Sequence, residues 1–247
     1  MKYLGQLIWL ELKLFLREPE ATFFTLVFPL LMLFVFGSIF GNEPSEFYGG
    51  RGNVDVSVPA YMAMIIATTG LLSISVTVAS YREKGILRRY RLTPMHPLAI
   101  LTAQVTVNVL MAVIGALLLV LAAKLVYGFK FTGNIFSFSA GFLLSALSFF
   151  SIGFVVASVV RTARIANIVG MSLYFPNLFL SGAAIPKQIF PAGVDRVSHF
   201  LPLRYVVELL QGLSGGEPWS EHGFSVLVLV IIGIIGLILT RFTFRWE

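Results

Sequence analysis

Six long apolar runs constrain the fold of this chain more than any other feature. They lie near residues 21–41, 57–80, 98–123, 135–160, 165–184 and 223–240. About 20 consecutive apolar residues cross a bilayer as a helix, and in hydrocarbon each backbone amide must be hydrogen-bonded within its own segment. The runs lack the alternation of a transmembrane β-strand. The predicted fold class is an all-α integral membrane protein with six transmembrane helices.

Composition agrees with this class and narrows the function. The chain is 57% hydrophobic and 12% charged, whereas soluble domains carry about 25% charged residues. The six runs contain no Asp, Glu, Lys, Arg or His. Because ionisable groups at membrane depth mark proton relays and ion sites, a proton- or ion-coupled pump is disfavoured. The chain has no cysteine, which excludes disulfides and thiolate metal sites.

The net charge is +6, and the Lys and Arg residues behind it are divided unequally between the two sides of the predicted membrane. With six spans, twelve of the 18 cations fall on the side that holds both termini. They are Lys2, Lys13, Arg17, Arg82, Lys84, Arg88, Arg89, Arg91, Arg161, Arg164, Arg241 and Arg245. The positive-inside rule makes this side cytoplasmic. The basic balance therefore indicates topology, and no nucleic-acid partner is predicted.

Residues 1–18 are predicted to form an interfacial amphipathic helix that ends before Pro19. Lys2, Lys13 and Arg17 fall on one face, and leucines and aromatic residues on the other. Such a helix lies flat on the cytoplasmic leaflet. Glu11 falls in the middle of the apolar face. Two expectations follow: the carboxylate snorkels to the headgroups, which is favoured, or it pairs with a cation of a neighbouring loop.

The segment "REKGILRRYRLTPMHP", residues 82–97, concentrates charge between two apolar runs. A helix over 83–92 would have a cationic face of Lys84, Arg88 and Arg91 and an apolar face of Ile86, Leu87 and Tyr90. Pro94 and Pro97 would stop it. Three interpretations compete: an anchor on anionic headgroups, a docking helix for a cytoplasmic partner, and an RNA or lipid-headgroup site, which is disfavoured.

Residues 185–213 are too interrupted to cross the membrane and too apolar for a free loop. Prolines stand at 186, 191 and 202, and helical spacing runs from about 203 to 213. One or two short re-entrant helices dipping into the outer leaflet are predicted. Irregular backbone is tolerated at that depth where protein covers it.

Catalytic signatures are absent from the sequence. His96, His199 and His222 are scattered, and no His-Glu-x-x-His pair exists for zinc. No Gly-x-x-x-x-Gly-Lys-Ser/Thr phosphate loop occurs. The serines of the apolar runs are interpreted as helix–helix hydrogen-bonding residues. The chain is therefore predicted not to be an enzyme, and energy for any driven transport would come from another protein.

The order and spacing of several motifs resemble the membrane (permease) subunits of type-2 ABC exporters. These are "REKG" followed by "ILRRYRLTPMHP", then "LFLSGAAIPKQIFP" and "FLPLRYVVELLQGL". The resemblance covers essentially the whole chain, residues 1–247, as a single transmembrane domain. Within the family, the chain looks most similar to daunorubicin- and multidrug-type permeases.

The resemblance implies a division of labour. Two copies of the permease would form the path, and two copies of a separate ATPase, which binds ATP and Mg, would supply energy. Residues 82–95 would be the coupling helix. The ATPase-docking residues would be Arg82, Glu83, Lys84, Gly85, Ile86, Leu87, Arg88, Tyr90 and Arg91. Ser181, Gly182, Pro186, Pro191 and Pro202 would belong to a re-entrant exit gate. The location implied is a bacterial or archaeal plasma (inner) membrane.

The function expected is export of an apolar or amphipathic substrate, because the predicted spans offer only uncharged lining. The alternative from another class is a membrane anchor that transports nothing and recruits a soluble partner through the same loop. No cofactor or metal is expected in this chain itself.

Overall fold

A computed structural model describes residues 2–86 and 98–243, except for the side chains of residues 2–4 and 98–99. The described part is all-α apart from one small hairpin, which confirms the predicted class. The helices are α1 (Lys2–Leu16), α2 (Pro19–Phe40), α3 (Asn53–Glu83), α4 (Leu98–Tyr127), α5 (Ile135–Val159), α6 (Ala163–Leu180), α7 (Ala192–Ser198), α8 (Pro202–Gly215) and α9 (Gly223–Thr243). Short 3₁₀ turns cover Glu46–Tyr48, Lys187–Ile189 and Trp219–His222.

Five of the described helices are long and apolar enough to cross a membrane: α2, α3, α4, α5 and α9. The run near 165–184 falls on α6, which has 18 residues and ends at Leu180. It is not among the five because Arg164, Asn167 and Asn177 dilute its apolar character. The count of six spans therefore stays a prediction.

The long helices run in alternating directions, so that the described chain has two ends. The turn end carries α1, the end of α3 and the tight turn at residues 160–162. The hairpin end carries β1 (Pro44–Ser45), β2 (Arg51–Gly52) and residues 181–201. The two strands pair antiparallel, with Pro44 opposite Gly52 and Ser45 opposite Arg51.

Helix α3 forms the centre of the molecule. In its most apolar 18-residue stretch, 94% of the residues are buried, the highest fraction among the five candidate spans. Residues Thr69–Ile74 form a π-helical segment, and its backbone lies close to α5 and α6. Glycines accept this close approach: a Cβ on Gly153 would collide with the Gly70 carbonyl oxygen, and one on Gly170 would collide with that of Leu71.

Serines join α5 to α9, as the sequence predicts. The Ser148 hydroxyl donates to the Leu229 carbonyl at 2.8 Å, and the Ser151 hydroxyl donates to the Ile232 carbonyl at 3.3 Å. A hydroxyl that donates to a carbonyl of a neighbouring helix has its hydrogen bond without water. At these positions the interpretation as packing and hydrogen-bonding residues is confirmed.

Helix α1 packs against α3 and α4 instead of standing apart. Leu7 lies in a buried cluster with Tyr81, Ile100 and Ala103, and Phe15 lies in a second cluster with residues of α4. Trp9, Leu10 and Leu16 remain exposed. The observed helix covers Lys2–Leu16 and ends two residues before the predicted end at residue 18, and its position on a membrane surface remains a prediction.

Candidate functional site

The motif Arg82–Gly85 lies where α3 ends at the turn end of the molecule. Arg82 and Glu83 are the last residues of α3, and Gly85 has a positive φ of 65°. A left-handed backbone is readily adopted by glycine and breaks a helix. The expectation of one helix over 83–92 is therefore wrong at its start, because Glu83 belongs to α3 and Gly85 interrupts the helical path.

Arg82 and Glu83 hold the two sides of the turn between α5 and α6. The Arg82 guanidinium donates to the Ser158 carbonyl at 3.1 Å, in the last turn of α5. The Glu83 carboxylate accepts from the Ala163 amide at 2.8 Å, the first residue of α6. Helix C-termini favour cations and N-termini favour anions. Each side chain therefore meets the helix end of complementary polarity.

The rest of the predicted docking set is only partly described. Lys84 is exposed, and Ile86 packs on the cluster of Leu7, Tyr81 and Ile100. Leu87, Arg88, Tyr90 and Arg91 lie outside the described residues, as do Pro94 and Pro97. The docking role of residues 82–95 thus remains a prediction.

Glu11 is buried between α1, α3 and α4. It is only 4% exposed, and its carboxylate accepts a hydrogen bond from the Tyr81 hydroxyl at 2.6 Å and another from the Gln104 amide. It makes no ion pair among the described residues, and the cations at 88, 89 and 91 lie outside them, so pairing with the loop and contact with headgroups both stay predictions. Burial raises the pKa of the Glu11 carboxyl, and the two hydrogen bonds act in the opposite direction. Glu11 therefore fastens α1 to α3 and α4.

Glu18 lies in the corner between α1 and α2. The Thr77 hydroxyl donates to its carboxylate at 3.4 Å. Burial, opposed by this hydrogen bond, raises the pKa of Glu18 to about 7; Glu11 raises it further and Lys84 lowers it. A cavity of about 270 Å³ adjoins this corner between α2, α3 and α6.

The cations of α1 and the corner have surface positions. The Lys13 ammonium lies 5.1 Å from the centre of the Trp9 ring, within the range of a cation–π contact. Lys13 and Arg17 are exposed, and the side chain of Lys2 lies outside the described part. Glu20, the second residue of α2, accepts from the Asn167 amide of α6 at 3.1 Å.

At the hairpin end, buried polar groups fix the loop that joins α2 to α3. Asp55 accepts from the Asn42 amide at 3.0 Å and from the Lys130 backbone amide at 2.9 Å. Arg51 donates to the Gln211 carbonyl at 3.0 Å and to the Ser214 hydroxyl at 3.0 Å, both on α8. The sequence argument did not single out these residues. An acid and a cation in a short loop between apolar runs were the available signal.

The predicted gate, residues 185–213, contains α7 and most of α8, joined by irregular backbone. Short helices are present in this segment, while their re-entrant position in a membrane stays a prediction. Ser181 is buried, Gly182 has a positive φ of 91°, and Pro186 and Pro191 precede short helical turns, while Pro202 begins α8. The Asn177 side chain of α6 accepts from the Leu203 amide at 3.1 Å. Gating by these residues remains a prediction.

One buried cation ties α7 to α8. Arg204 on α8 donates to the Asp195 carboxylate at 2.6 Å and to the Glu208 carboxylate at 3.1 Å. Its guanidinium also contacts the Ser198 hydroxyl. Hydrogen bonding to Arg204 lowers the pKa of Asp195. Among the described residues, no group of three His, Cys, Asp or Glu side chains is placed to hold a metal ion.

Comparison with known proteins gives low-identity relatives and a family match. The chain is 24% identical over 193 residues to the Escherichia coli K12 protein named "Probable multidrug ABC transporter permease YbhS", covering 76% of this chain and 48% of the relative. It is 26% identical over 190 residues to the "Inner membrane transport permease YhhJ" of the same strain, covering 73% and 50%. A Cyanophora paradoxa protein designated ycf38 is 25% identical over 252 residues, covering 95% and 85%.

The chain therefore spans about half the length of the first two relatives. The family model described as "ABC-2 type transporter" matches residues 3–213. That range includes α1, the motif at the end of α3, the turn held by Arg82 and Glu83, and most of α8. On the extent of this match, the chain belongs to the ABC-2 type transporter family.

Proposed function

We propose that this chain is the transmembrane permease subunit of an ATP-binding cassette exporter that moves an apolar or amphipathic substrate. The family match supports a permease. The sequence has no phosphate loop, so a separate ATPase would bind ATP and Mg. Two copies of this chain would form the path, and two ATPase copies would drive it.

The observation that carries the proposal is the bridge from the end of α3 to the turn between α5 and α6. Arg82 and Glu83 directly precede the basic loop, and each holds one side of that turn. A force applied to the loop by an ATPase would reach α6 through rigid helices and short hydrogen bonds. Lys84, Gly85, Ile86, Leu87, Arg88, Tyr90 and Arg91 would supply the docking contacts themselves.

The proposed topology places the turn end in the cytoplasm. Most cations lie at this end, as the positive-inside rule requires. Helix α6 would be the sixth span: its 18 residues extend about 27 Å at 1.5 Å per residue, close to the thickness of the hydrocarbon core. The membrane would be the inner membrane of a bacterium or archaeon, as for the Escherichia coli relative named as an inner membrane permease.

The test is reconstitution with a candidate phosphate-loop ATPase from the same genome, chosen first from the reading frames that adjoin this chain's gene. Vesicles containing both proteins are loaded with a fluorescent amphipathic dye, and dye movement and ATP hydrolysis are measured together. ATP-dependent movement that disappears without this chain is expected. Binding of the ATPase without dye movement, across a panel of apolar and amphipathic dyes, would contradict the proposal and support the anchor alternative.

A loop variant separates coupling from folding. Gly85→Pro fixes φ near −65°, whereas the native φ is 65°, so the exit from α3 must change. We expect normal membrane insertion and at least a tenfold loss of dye movement per ATP hydrolysed. Gly193→Pro, in the first turn of α7, is the control because its surroundings are open; unchanged coupling by Gly85→Pro would show that the loop does not couple.

A further inference from the structure

A cavity of about 570 Å³ lies at the hairpin end, between the end of α2, the hairpin, the first turns of α3 and residues 184–189. Aromatic rings form much of its wall: Phe36, Phe40, Phe47, Tyr48 and Tyr61. Its volume lies within the roughly 300–1,000 Å³ of small-molecule sites. On its size and lining, the cavity is suited to a ring-containing organic molecule and not to an ion alone.

Asn53, the first residue of α3, gives this wall a polar group that lacks a partner. The side chain is 6% exposed. Its carbonyl oxygen accepts from the Tyr48 hydroxyl at 3.0 Å and from the Ser57 hydroxyl at 3.4 Å. Its amide nitrogen has no hydrogen-bond partner among the described residues. A buried donor without an acceptor is costly. The nitrogen itself is covered by protein atoms, so a ligand carbonyl would remove that cost once the side chain turns toward the cavity.

Glu43 gives the same wall a negative charge. It lies one residue before β1, is exposed, and makes no ion pair within residues 2–86 and 98–243. The cavity residues include no cation. A carboxylate beside aromatic rings favours an organic ammonium group, which gains both charge attraction and contact with the ring faces. Lys187, within the segment 184–189, is paired with Glu208 at 3.2 Å, so the unpaired charge at the cavity wall is that of Glu43, and it favours a positively charged ligand.

We propose that this cavity binds an amphipathic organic cation that carries a hydrogen-bond acceptor, with its carbonyl on Asn53, its rings on the aromatic wall and its ammonium group near Glu43. The inference rests on the proposed function, because the molecule would be the exported substrate on its way out. It adds to that function a substrate class and a site at the hairpin end.

The binding test uses the full chain in lipid nanodiscs, without ATPase or nucleotide. The probe is a naphthalene carboxamide carrying a dimethylaminopropyl group. One analogue replaces the amide by an all-carbon linker, and another replaces the dimethylamino group by isopropyl. Naphthalene fluorescence is titrated against nanodiscs, with empty nanodiscs subtracted to remove partitioning into lipid. We expect saturable binding of the parent probe, with each analogue about fivefold to tenfold weaker.

Matched variants show which residue causes each difference in affinity between the parent probe and its analogues. Glu43→Gln should abolish the preference for the dimethylamino probe over its isopropyl analogue, while Glu46→Gln, an exposed carboxylate in the same hairpin but outside the cavity wall, should retain it. Asn53→Asp keeps the acceptor for Tyr48 and removes the donor, so the preference for the carboxamide should disappear. The analogue comparison on the unaltered chain decides even if this variant does not fold.

Equal binding of the three probes, or equal effects of Glu43→Gln and Glu46→Gln, would overturn the site. Those outcomes leave dye movement by the chain with its ATPase unaffected. Conversely, selective probe binding combined with no ATP-dependent movement would contradict the exporter and retain the site. The two proposals therefore fail separately.

Discussion

The two ends of this molecule treat their polar groups differently. At the turn end, the side chains of Glu11, Arg82 and Glu83 form hydrogen bonds to residues 70, 76 and 80 positions away, and these bonds join separate helices. At the hairpin end, Asn53 keeps an unpartnered donor and Glu43 an unpaired carboxylate within the described chain. Hydrogen bonds between helices, as at the turn end, can pass the movement of one helix to another. Polar groups without a partner, as at the hairpin end, are available to bind a ligand.

The contrast has a physical basis in how polar groups are used near a membrane. A buried group that is fully hydrogen-bonded stabilises one arrangement of helices, because every alternative arrangement leaves it unsatisfied. A group held ready for a ligand must lack an internal partner, which lowers stability locally. The hairpin end also contains Arg204, which holds α7 against α8. One part of this end is therefore held by ion pairs, and the other part, the cavity wall, has groups free to bind a ligand. Substitutions at each end can therefore separate fastening from ligand binding.

The largest effect is expected from Arg204→Met at the hairpin end. This change removes the cation between Asp195 and Glu208 and leaves Glu208, which is largely covered, without that partner. Asp195 is partly exposed and Glu208 keeps its ion pair with Lys187 at 3.2 Å, so the loss should fall mainly on the attachment of α7, and of the backbone before it, to α8. Hydrogen exchange of residues 181–201, followed by mass spectrometry, should rise by at least tenfold.

The control for this variant is Arg196→Met on α7. Arg196 is exposed and makes no ion pair within the described part of the chain, so exchange should stay near the unaltered rate. If both variants show the same hydrogen exchange, Arg204 does not hold α7 against α8. The distinction between an ion-paired part and a ligand-binding part of the hairpin end would then be wrong.

The sequence could predict the long helices because their cause is local. About 20 apolar residues must form a helix in a bilayer whatever their neighbours are. The short helices within 185–213 and the serines between α5 and α9 follow from similarly local signals. The run at 165–184 was harder, since Asn167 and Asn177 make α6 more polar. Asn177 holds the start of α8, a role that no local pattern displays.

The fate of Glu11 could not be predicted because its partners are far away along the chain. Tyr81 and Gln104 lie 70 and 93 positions from it. A carboxylate on an apolar face must find hydrogen-bond donors if it is buried, and Gln104 was a polar residue within the third apolar run. These two observations could have indicated a hydrogen bond between Glu11 and Gln104. The sequence did not show that α1 packs against α3 and α4, which brings the two residues together.

Glu11→Ala is expected to have the next largest effect. It removes the acceptor for the Tyr81 hydroxyl and the Gln104 amide in a buried site, at a cost of about 2–3 kcal/mol in unfolding free energy. Cross-linking gives a direct measurement, because the native chain has no cysteine. A cysteine pair introduced by Leu7→Cys and Ala103→Cys, at positions that share one buried cluster, should form a disulfide efficiently when Glu11 is present and poorly in the Glu11→Ala background.

The conservative control is Glu11→Gln. A glutamine keeps an acceptor for Tyr81 and lacks the charge, so cross-linking should approach that of the unaltered chain. If Glu11→Ala cross-links as well as Glu11→Gln does, the carboxylate does not fasten α1, and the turn end is less tightly joined than its contacts indicate.

Ala163→Pro tests whether Glu83 acts through α6. Proline at the first helical position is well tolerated, and Thr162 already has the φ of −131° and ψ of 155° that suit a residue before proline. The substitution removes the N–H that Glu83 accepts and leaves Glu83 itself in place. We expect stability within about 1 kcal/mol of the native value and a fivefold to tenfold loss of dye movement per ATP hydrolysed.

The comparison with Glu83→Ala decides the mechanism. If Glu83 acts by holding α6, Glu83→Ala, Ala163→Pro and the double variant should lose coupling to the same extent. If Glu83 instead contacts the ATPase, Ala163→Pro should transport normally. Ala163→Ser, which retains the N–H, is the control and should couple like the unaltered chain.

The smallest effect is a pH dependence that originates at Glu18. Burial raises the pKa of this carboxyl to about 7 in the folded chain, from a reference value of 4.5. Below about pH 4.5 the group is protonated in both states and its contribution to stability is complete; that contribution is lost as the pH rises through 7. Taken in full, the shift would be worth about 2 kcal/mol between pH 5 and pH 7.5. Glu18 is partly accessible to water, and solvent screening reduces the expected change to about 1 kcal/mol, so the melting temperature should fall by a few degrees.

Glu18→Gln should flatten this part of the profile, because the amide does not titrate and its oxygen still accepts from Thr77. Glu20→Gln, two residues along the chain and exposed, should leave the slope unchanged. Glu11 and Lys84 also act on Glu18, so the measurement is repeated with Glu11→Gln to separate their contributions. An unaltered slope in Glu18→Gln would show that the corner between α1 and α2 is open to water, and that the turn end is less completely closed than the contacts of Glu11 and Glu83 indicate.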